Sequence, residues 1–212
     1  MKKLFTLLLI SIFAINTTFA QVEGEGTWIL GATTELSNAP WSQIAMQPTI
    51  GYFISDNMAV GLGFGYGSTK NETELTGFNN NGDQVDYTET NTTSNMSMTP
   101  WMRLYMGDMF FVNAAVTIGS GSNKDETSNS ELSGWTDSDG SIVGEMTDKS
   151  SSFGLNIGGG ASILWGDHIA FEPMFGFTMG SSSVTPFDQD KQKGPSTMGL
   201  GFSIGVCVML GN

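Results

Sequence analysis

Along residues 58–67 (MAVGLGFGYG) every second position is Ala or Gly, and the residues between them are Met, Val, Leu, Phe and Tyr. A strand points successive side chains to opposite faces, so Val60, Leu62, Phe64 and Tyr66 share an apolar face while Ala59, Gly61, Gly63, Gly65 and Gly67 leave the other nearly bare. The same period-two texture marks eight segments, at 26–34, 43–54, 58–67, 95–106, 109–120, 151–165, 168–180 and 197–210. Their connections alternate in length. Short turns at Ser55-Asp56-Asn57, Gly107-Asp108 and Gly166-Asp167 separate long polar stretches at 35–42, 68–93, 121–149 and 181–194. Tight turns at one rim and long loops at the other predict an all-β fold, an eight-stranded antiparallel up-and-down transmembrane β-barrel with both chain ends on the short-turn side. Each segment supplies roughly the 9 to 11 residues that a tilted strand needs to cross the hydrocarbon layer.

The phase of each strand assigns its faces. In 95–106, Met96, Met98, Pro100, Met102, Leu104 and Met106 point outward, and Ser97, Thr99, Trp101, Arg103 and Tyr105 point inward. In 168–180, Ile169, Phe171, Phe175, Phe177 and Met179 point outward against Glu172, Gly176 and Thr178. The last strand sets Met198, Leu200, Phe202, Ile204 and Val206 against Gly199, Gly201, Ser203, Gly205 and Cys207. No outward position in these strands is charged, as a bilayer demands, since a Lys or Arg at its midplane costs roughly 2 to 4 kcal/mol. The alternative, a soluble sandwich or soluble closed barrel, uses the same alternation with the faces reversed. It would leave an almost uncharged, glycine-rich face in water, and it gives no reason for the long loops to gather at one end. Pro48, Pro100 and Pro173 fall on the outward phase inside strands, where each removes a ladder hydrogen bond. Irregular pairing is expected there, with bulges at one common height.

Lys2 and Lys3, an apolar run over 4–14 and Thr18-Phe19-Ala20 before Gln21 read as a secretory signal peptide over residues 1–20, leaving 21–212 as the barrel domain. No later run of about 18 apolar residues suggests a membrane-spanning helix. The 212-residue chain has 8 Lys plus Arg against 21 Asp plus Glu, a net charge of −13 that becomes −15 once Lys2 and Lys3 are removed. Such an acidic balance argues against a nucleic-acid partner. The one cysteine, Cys207, has no partner for an internal disulfide.

Three features together resemble the small outer-membrane β-barrel proteins of Gram-negative bacteria, the porin-like, OmpX/OmpA-like family in its Bacteroidetes form. They are the leader ending Phe19-Ala20-Gln21, the segment Pro48-Thr49-Ile50-Gly51-Tyr52-Phe53-Ile54-Ser55-Asp56-Asn57-Met58-Ala59-Val60-Gly61-Leu62-Gly63, and the glycine-alternating last strand. The resemblance implies a place in the cell outer membrane, with long loops extracellular and both termini periplasmic. It also implies contact with outer-membrane lipid and lipopolysaccharide, and with barrel-assembly machinery during insertion. It implies no fixed activity. Barrels of this kind usually end on an aromatic residue that the machinery is thought to read, whereas this chain ends Met209-Leu210-Gly211-Asn212. Either Leu210 takes that role or the assembly signal is weaker than usual.

Candidate chemistry is sparse. Arg103, the only arginine, and Glu172 both have inward phase and similar counts from their short turns, so they are expected to pair across the lumen as a structural plug or an ion-conducting constriction. Eight strands enclose a space that side chains fill or that holds one small ligand, with Trp101, Tyr105, Phe111 and Met174 as bulky inward residues. Gly201-Phe202-Ser203-Ile204-Gly205 matches the nucleophile-elbow pattern, but it lies in an alternating strand and no histidine follows it; His168 is upstream. The glycine runs at 61–67 and 158–160 do not complete a dinucleotide fingerprint. Glu74-Leu75-Thr76-Gly77-Phe78 before Asn80-Asn81-Gly82, and Glu131-Leu132-Ser133-Gly134-Trp135 before Ser138-Asp139-Gly140, predict two protruding hairpins with an aromatic, Phe78 or Trp135, near each tip. Their acidic residues suit a divalent cation or a surface partner, though Asp137-Ser138-Asp139-Gly140 lacks the full calcium-loop ligand set, and simple solvation is the better account of the charge. The expected protein is therefore non-enzymatic, without catalytic residues, cofactor or metal, and acts structurally or through surface interaction. The alternative is a narrow porin-like channel or a small-ligand carrier.

Overall fold

The structure, a computed structural model, describes residues 24–35, 47–78, 81–107, 109–128, 144–166 and 168–211. The expected signal peptide, most of the first long loop, Trp135, Asp137 to Gly140 and the turn residues Asp108 and Asp167 lie outside the described residues. Nine strand segments run in chain order: β1 Trp28–Glu35, β2 Gln47–Ser55, β3 Met58–Phe78, β4 Gln84–Met106, β5 Phe110–Thr127, β6 Glu145–Ala161, β7 Ile163–Trp165, β8 Ile169–Thr185 and β9 Gln192–Leu210. β6 and β7 are one stave. Both pair with β8 in one register, from Gly160↔Met174 to Ile163↔Phe171, and Ser162 between them turns its amide to the Met109 carbonyl at 2.7 Å. Each stave pairs antiparallel with its sequence neighbours, and β1 returns to β9 from Trp28↔Leu210 to Glu35↔Ser203. The fold is thus a closed eight-stranded antiparallel up-and-down barrel.

Period-two alternation produces this ring because each stave needs one face for the lumen and one for the exterior. Met96, Leu200 and Tyr66 stand outside with 62%, 67% and 81% of their surface exposed, while Trp101, Arg103 and Tyr105 are buried inside. The outward and inward sets read from the sequence in β4, β8 and β9 keep those faces. Gly107 and Gly166 sit in short turns with φ of 68° and 72°, a left-handed conformation that glycine adopts without a Cβ clash. Trp28 and Leu210 meet at the same rim, so the first and last strands end on the short-turn side.

The three prolines interrupt the ladder without forming bulges. Pro48 pairs with Ala32 of β1, but β2 pairs with β3 only from Thr49 onward. Pro100 pairs with Leu62 of β3, while the β4–β5 ladder stops at Met98↔Ile118 and resumes in register at Trp101↔Ala115. Pro173 pairs with Ile204 of β9, and on its other side the gap between β6 and β7 falls opposite it. In an antiparallel strand the N–H and C=O of one residue face the same neighbour, so a missing N–H breaks pairing on one side only. The expected bulges therefore give way to one-sided gaps. Register shifts occur instead at Phe53/Ser55, beside a short turn, and at Ser181/Ser183.

The stretches at 68–93, 121–149 and 181–194 hold less loop than their polar composition implies. β3 and β4 stay paired out to Phe78↔Gln84, β5 and β6 to Glu126↔Glu145, and β8 and β9 to Val184↔Gln192. Beyond Gly63, β3 pairs with β4 alone among the described residues. The barrel wall thus continues upward as a projecting sheet.

Candidate functional site: a layered lumen

The lumen has three layers. At the short-turn end Ile29, Phe53, Tyr105, Phe111 and Met209, each at most 4% exposed, pack together with Ala59, Ala170 and Cys207. Tyr105 contacts Phe53 and Phe111 with ring centroids 5.1 and 5.6 Å apart. Each large residue comes from a place where alternation lapses into an apolar triplet at the short-turn end of its strand: Trp28-Ile29-Leu30, Tyr52-Phe53-Ile54, Leu104-Tyr105-Met106, Phe110-Phe111-Val112 and Val208-Met209-Leu210. The middle member has the inward phase and fills the floor. Sequence reasoning named Tyr105 and Phe111 but missed Ile29, Phe53 and Met209; the lapse in alternation was the available signal.

Above this floor Arg103 of β4 reaches across to Glu172 of β8, Nη1 to Oε2 at 2.6 Å, with both side chains nearly fully buried. Asn113 Oδ1 accepts from Arg103 Nε at 3.3 Å, and Ser162 Oγ donates to Glu172 Oε1 at 3.3 Å. The guanidinium carbon lies 4.8 Å from the Trp101 ring centroid and 4.7 Å from that of Phe111. A desolvated guanidinium is stabilised by both its carboxylate and these negative ring faces. Ser162 was not singled out by the sequence, because nothing in Ala161-Ser162-Ile163 announces a strand break.

Among the described residues the third layer is open space. A cavity of about 700 Å³ rises from Trp101, Arg103, Asn113 and Met174 toward the long-loop end. Above Arg103 its described wall consists mainly of Ser, Thr, Asn, Gln and Gly, including Thr49, Ser97, Thr117 and Ser152. Thr99 Oγ1 contacts Thr117 Oγ1 at 3.1 Å and accepts from Gln47 Nε2 at 3.2 Å, which ties β2, β4 and β5 together across the wall. The cross-strand pairs Gly65↔Ser97, Gly67↔Asn95, Gly119↔Ser152 and Gly121↔Ser150 repeat one arrangement. In each, the polar side-chain atom lies where a Cβ on the glycine would stand. The hydroxyls and amides lie flat on the wall, so the lumen stays wide.

Above the cup the projecting sheet carries a polar ladder. Asn91 Nδ2 donates to Asn123 Oδ1 at 3.0 Å and to Asp125 Oδ1 at 2.6 Å. Lys124 lies 2.9 Å from Glu126 and 3.1 Å from Glu145, and these carboxylates hold its ammonium above the usual lysine range. Phe78 is 62% exposed at the end of β3. Among the described residues no group of three or more His, Cys, Asp or Glu is placed to hold a metal ion. Ser203 and His168 are not brought together: Ser203 is buried in β9 opposite Met174, and His168 lies at the β7–β8 turn.

No family model matches the chain, and no curated protein matches its sequence. Among solved structures, the N-terminal β-barrel domain of Pseudomonas aeruginosa OprF is similar over 89% of this chain and 100% of that one, at 12% identity and a TM-score of 0.36. Ail, the attachment invasion locus protein of Yersinia pestis, determined with the heparin analogue sucrose octasulfate, is similar over 89% and 100%, at 12% identity and a TM-score of 0.34. Likeness at this distance adds nothing to the assignment, which rests on the strand pairing itself.

Proposed function

We propose that the chain is a non-enzymatic outer-membrane β-barrel protein, exported by its leader, that acts structurally and through surface interaction at its projecting hairpins. The observation that carries this reading is the exterior of the staves. Met96, Met98, Met102, Leu104 and Met106 on β4, and Met198, Leu200, Phe202, Val206 and Val208 on β9, are exposed large hydrophobics with no charge among them. An apolar area this large encircling a folded chain needs lipid rather than water as its solvent. With the short-turn rim periplasmic, the paired extensions of β3 to β6 stand clear of the outer surface. There their acidic residues and Phe78 meet whatever approaches the cell.

The apolar floor favours a closed barrel over the channel alternative, because a packed layer of Phe53, Tyr105 and Phe111 lies between the cup and the short-turn rim. The open cup above it keeps the small-ligand alternative in play. Mature protein refolded with and without detergent micelles tests the membrane reading: a folded, monodisperse barrel is expected only with detergent. A monodisperse folded chain in plain buffer would refute it. Surface binding that is unchanged after removal of both hairpin tips, with Phe78 and Trp135, would refute the interaction role.

A further inference from the structure

We propose that the upper lumen is a binding cup for a small neutral saccharide, a reading that deepens and rests on the small-ligand alternative above. The space comes first. About 700 Å³ lies within the roughly 300 to 1,000 Å³ range of small-molecule sites, and an eight-stranded barrel is just wide enough to hold one such ligand. The floor is sealed, so the cup has one mouth, which suits retention rather than passage.

The wall then selects the chemistry. Among the described residues Arg103 is the one charged residue lining the cup, and Glu172 neutralises it at 2.6 Å, so among them no uncompensated charge faces an ionic ligand. Glu89 and Asp125 lie on the lumen-side phase of the extended β4 and β5, above the cup, and disfavour an incoming anion. A planar aromatic ligand lacks a stacking platform, because Phe111 is 1% exposed and Trp101 is 8% exposed, packed against Gly51 and Gly61 with Arg103 over its ring. What remains is a lining in which hydroxyls and carboxamides, groups that both donate and accept hydrogen bonds, are interspersed with glycines and a few apolar side chains such as Ala115 and Met174. The complementary ligand is one whose own groups do both at many points, which is the character of a sugar. The glycine pairing makes room for it: at Gly65, Gly67, Gly119 and Gly121 the opposing polar atom lies over the glycine instead of projecting into the lumen.

The test is protein-observed NMR of the barrel refolded in micelles, titrated with glucose, maltose and sucrose, and with glucose 6-phosphate as the anionic comparator. At least one neutral sugar is expected to give saturable shifts at lumen amides such as Ser97, Gly119 and Ser152, and glucose 6-phosphate to bind at least about tenfold more weakly than glucose. Gly119→Leu, which puts a branched side chain into the cup, is expected to weaken binding at least about tenfold; Gly119→Ala, where Ser152 needs only to rotate, keeps it within about that factor. The proposal is overturned if none of the three sugars gives saturable lumen shifts, if glucose 6-phosphate binds as tightly as glucose, or if folded Gly119→Leu binds like the native chain. A barrel that folds in micelles and ignores sugars overturns this inference alone, whereas a chain soluble without detergent overturns the membrane reading.

Discussion

Trp101 and Gly61 compete for one space: the indole lies where a Cβ on Gly61 would stand, and Gly51 comes within 2.5 Å of the same ring by the same measure. The bare face of β2 and β3 is therefore the seat of an aromatic residue from β4. Gly61→Val is expected to destabilise the barrel by about 1 to 3 kcal/mol, the usual penalty for overpacking. Trp101→Ala in the same chain should recover much of that loss, since the seat is then empty. Urea unfolding of the four species in micelles gives the coupling, and strictly additive effects would contradict the shared space.

Arg103→Met leaves Glu172 buried without its cation and is expected to destabilise by about 3 to 5 kcal/mol. Arg103→Met with Glu172→Leu replaces the whole pair by apolar residues and is expected to lie much closer to the native chain. The same urea titration decides the point. A double variant as weak as the sum of its parts would mean that the ion pair contributes no mutual compensation.

Conductance follows from the floor. The native protein in a planar bilayer should show no discrete current steps, while Phe53→Ala, Tyr105→Ala and Phe111→Ala combined thin the packed layer and should admit ions past the Arg103–Glu172 pair. Steps in the native chain would place a water path through the packed layer of Phe53, Tyr105 and Phe111.

Pro100→Val restores an N–H on the side of β4 that faces β5, where the ladder is interrupted. One new backbone hydrogen bond is expected to add about 0.5 to 1.5 kcal/mol. Amide exchange at position 100 should be slow in the variant, and a rapidly exchanging amide would show that something other than the proline keeps the two strands apart.

Most of the fold was legible because alternation, turn chemistry and loop lengths all point to one architecture. Met96 to Met106 could be assigned to faces residue by residue, since the exterior demands apolar side chains and the lumen tolerates polar ones. The floor was less legible. Ile29, Phe53 and Met209 are large and apolar on the inward phase, so they look the same as their outward neighbours and only their position beside the short turns distinguishes them. The projecting sheet was legible from its Asn81-Gly82 turn, where Gly82 has a φ of 86°, but its extent was not, because the Thr, Asn and Glu of 68–93 suit a hydrated strand and a loop alike. Room in the lumen was legible from the inward glycines, but the shape and lining of the cup were not, because they depend on which residue faces each glycine across a strand pair, and that is a property of register.

The meeting of Trp28 with Leu210 has a bearing on biogenesis. The ring is sealed by joining the earliest-made stave to the latest, so no shorter product ending before β9 can complete the circle, and an unfinished chain keeps two raw edges that invite wrong partners. Pairing residues so far apart along the chain is also slow, since the intervening loop must be ordered before the contact repays it. A protein zipped shut in this way is vulnerable for as long as it waits to close.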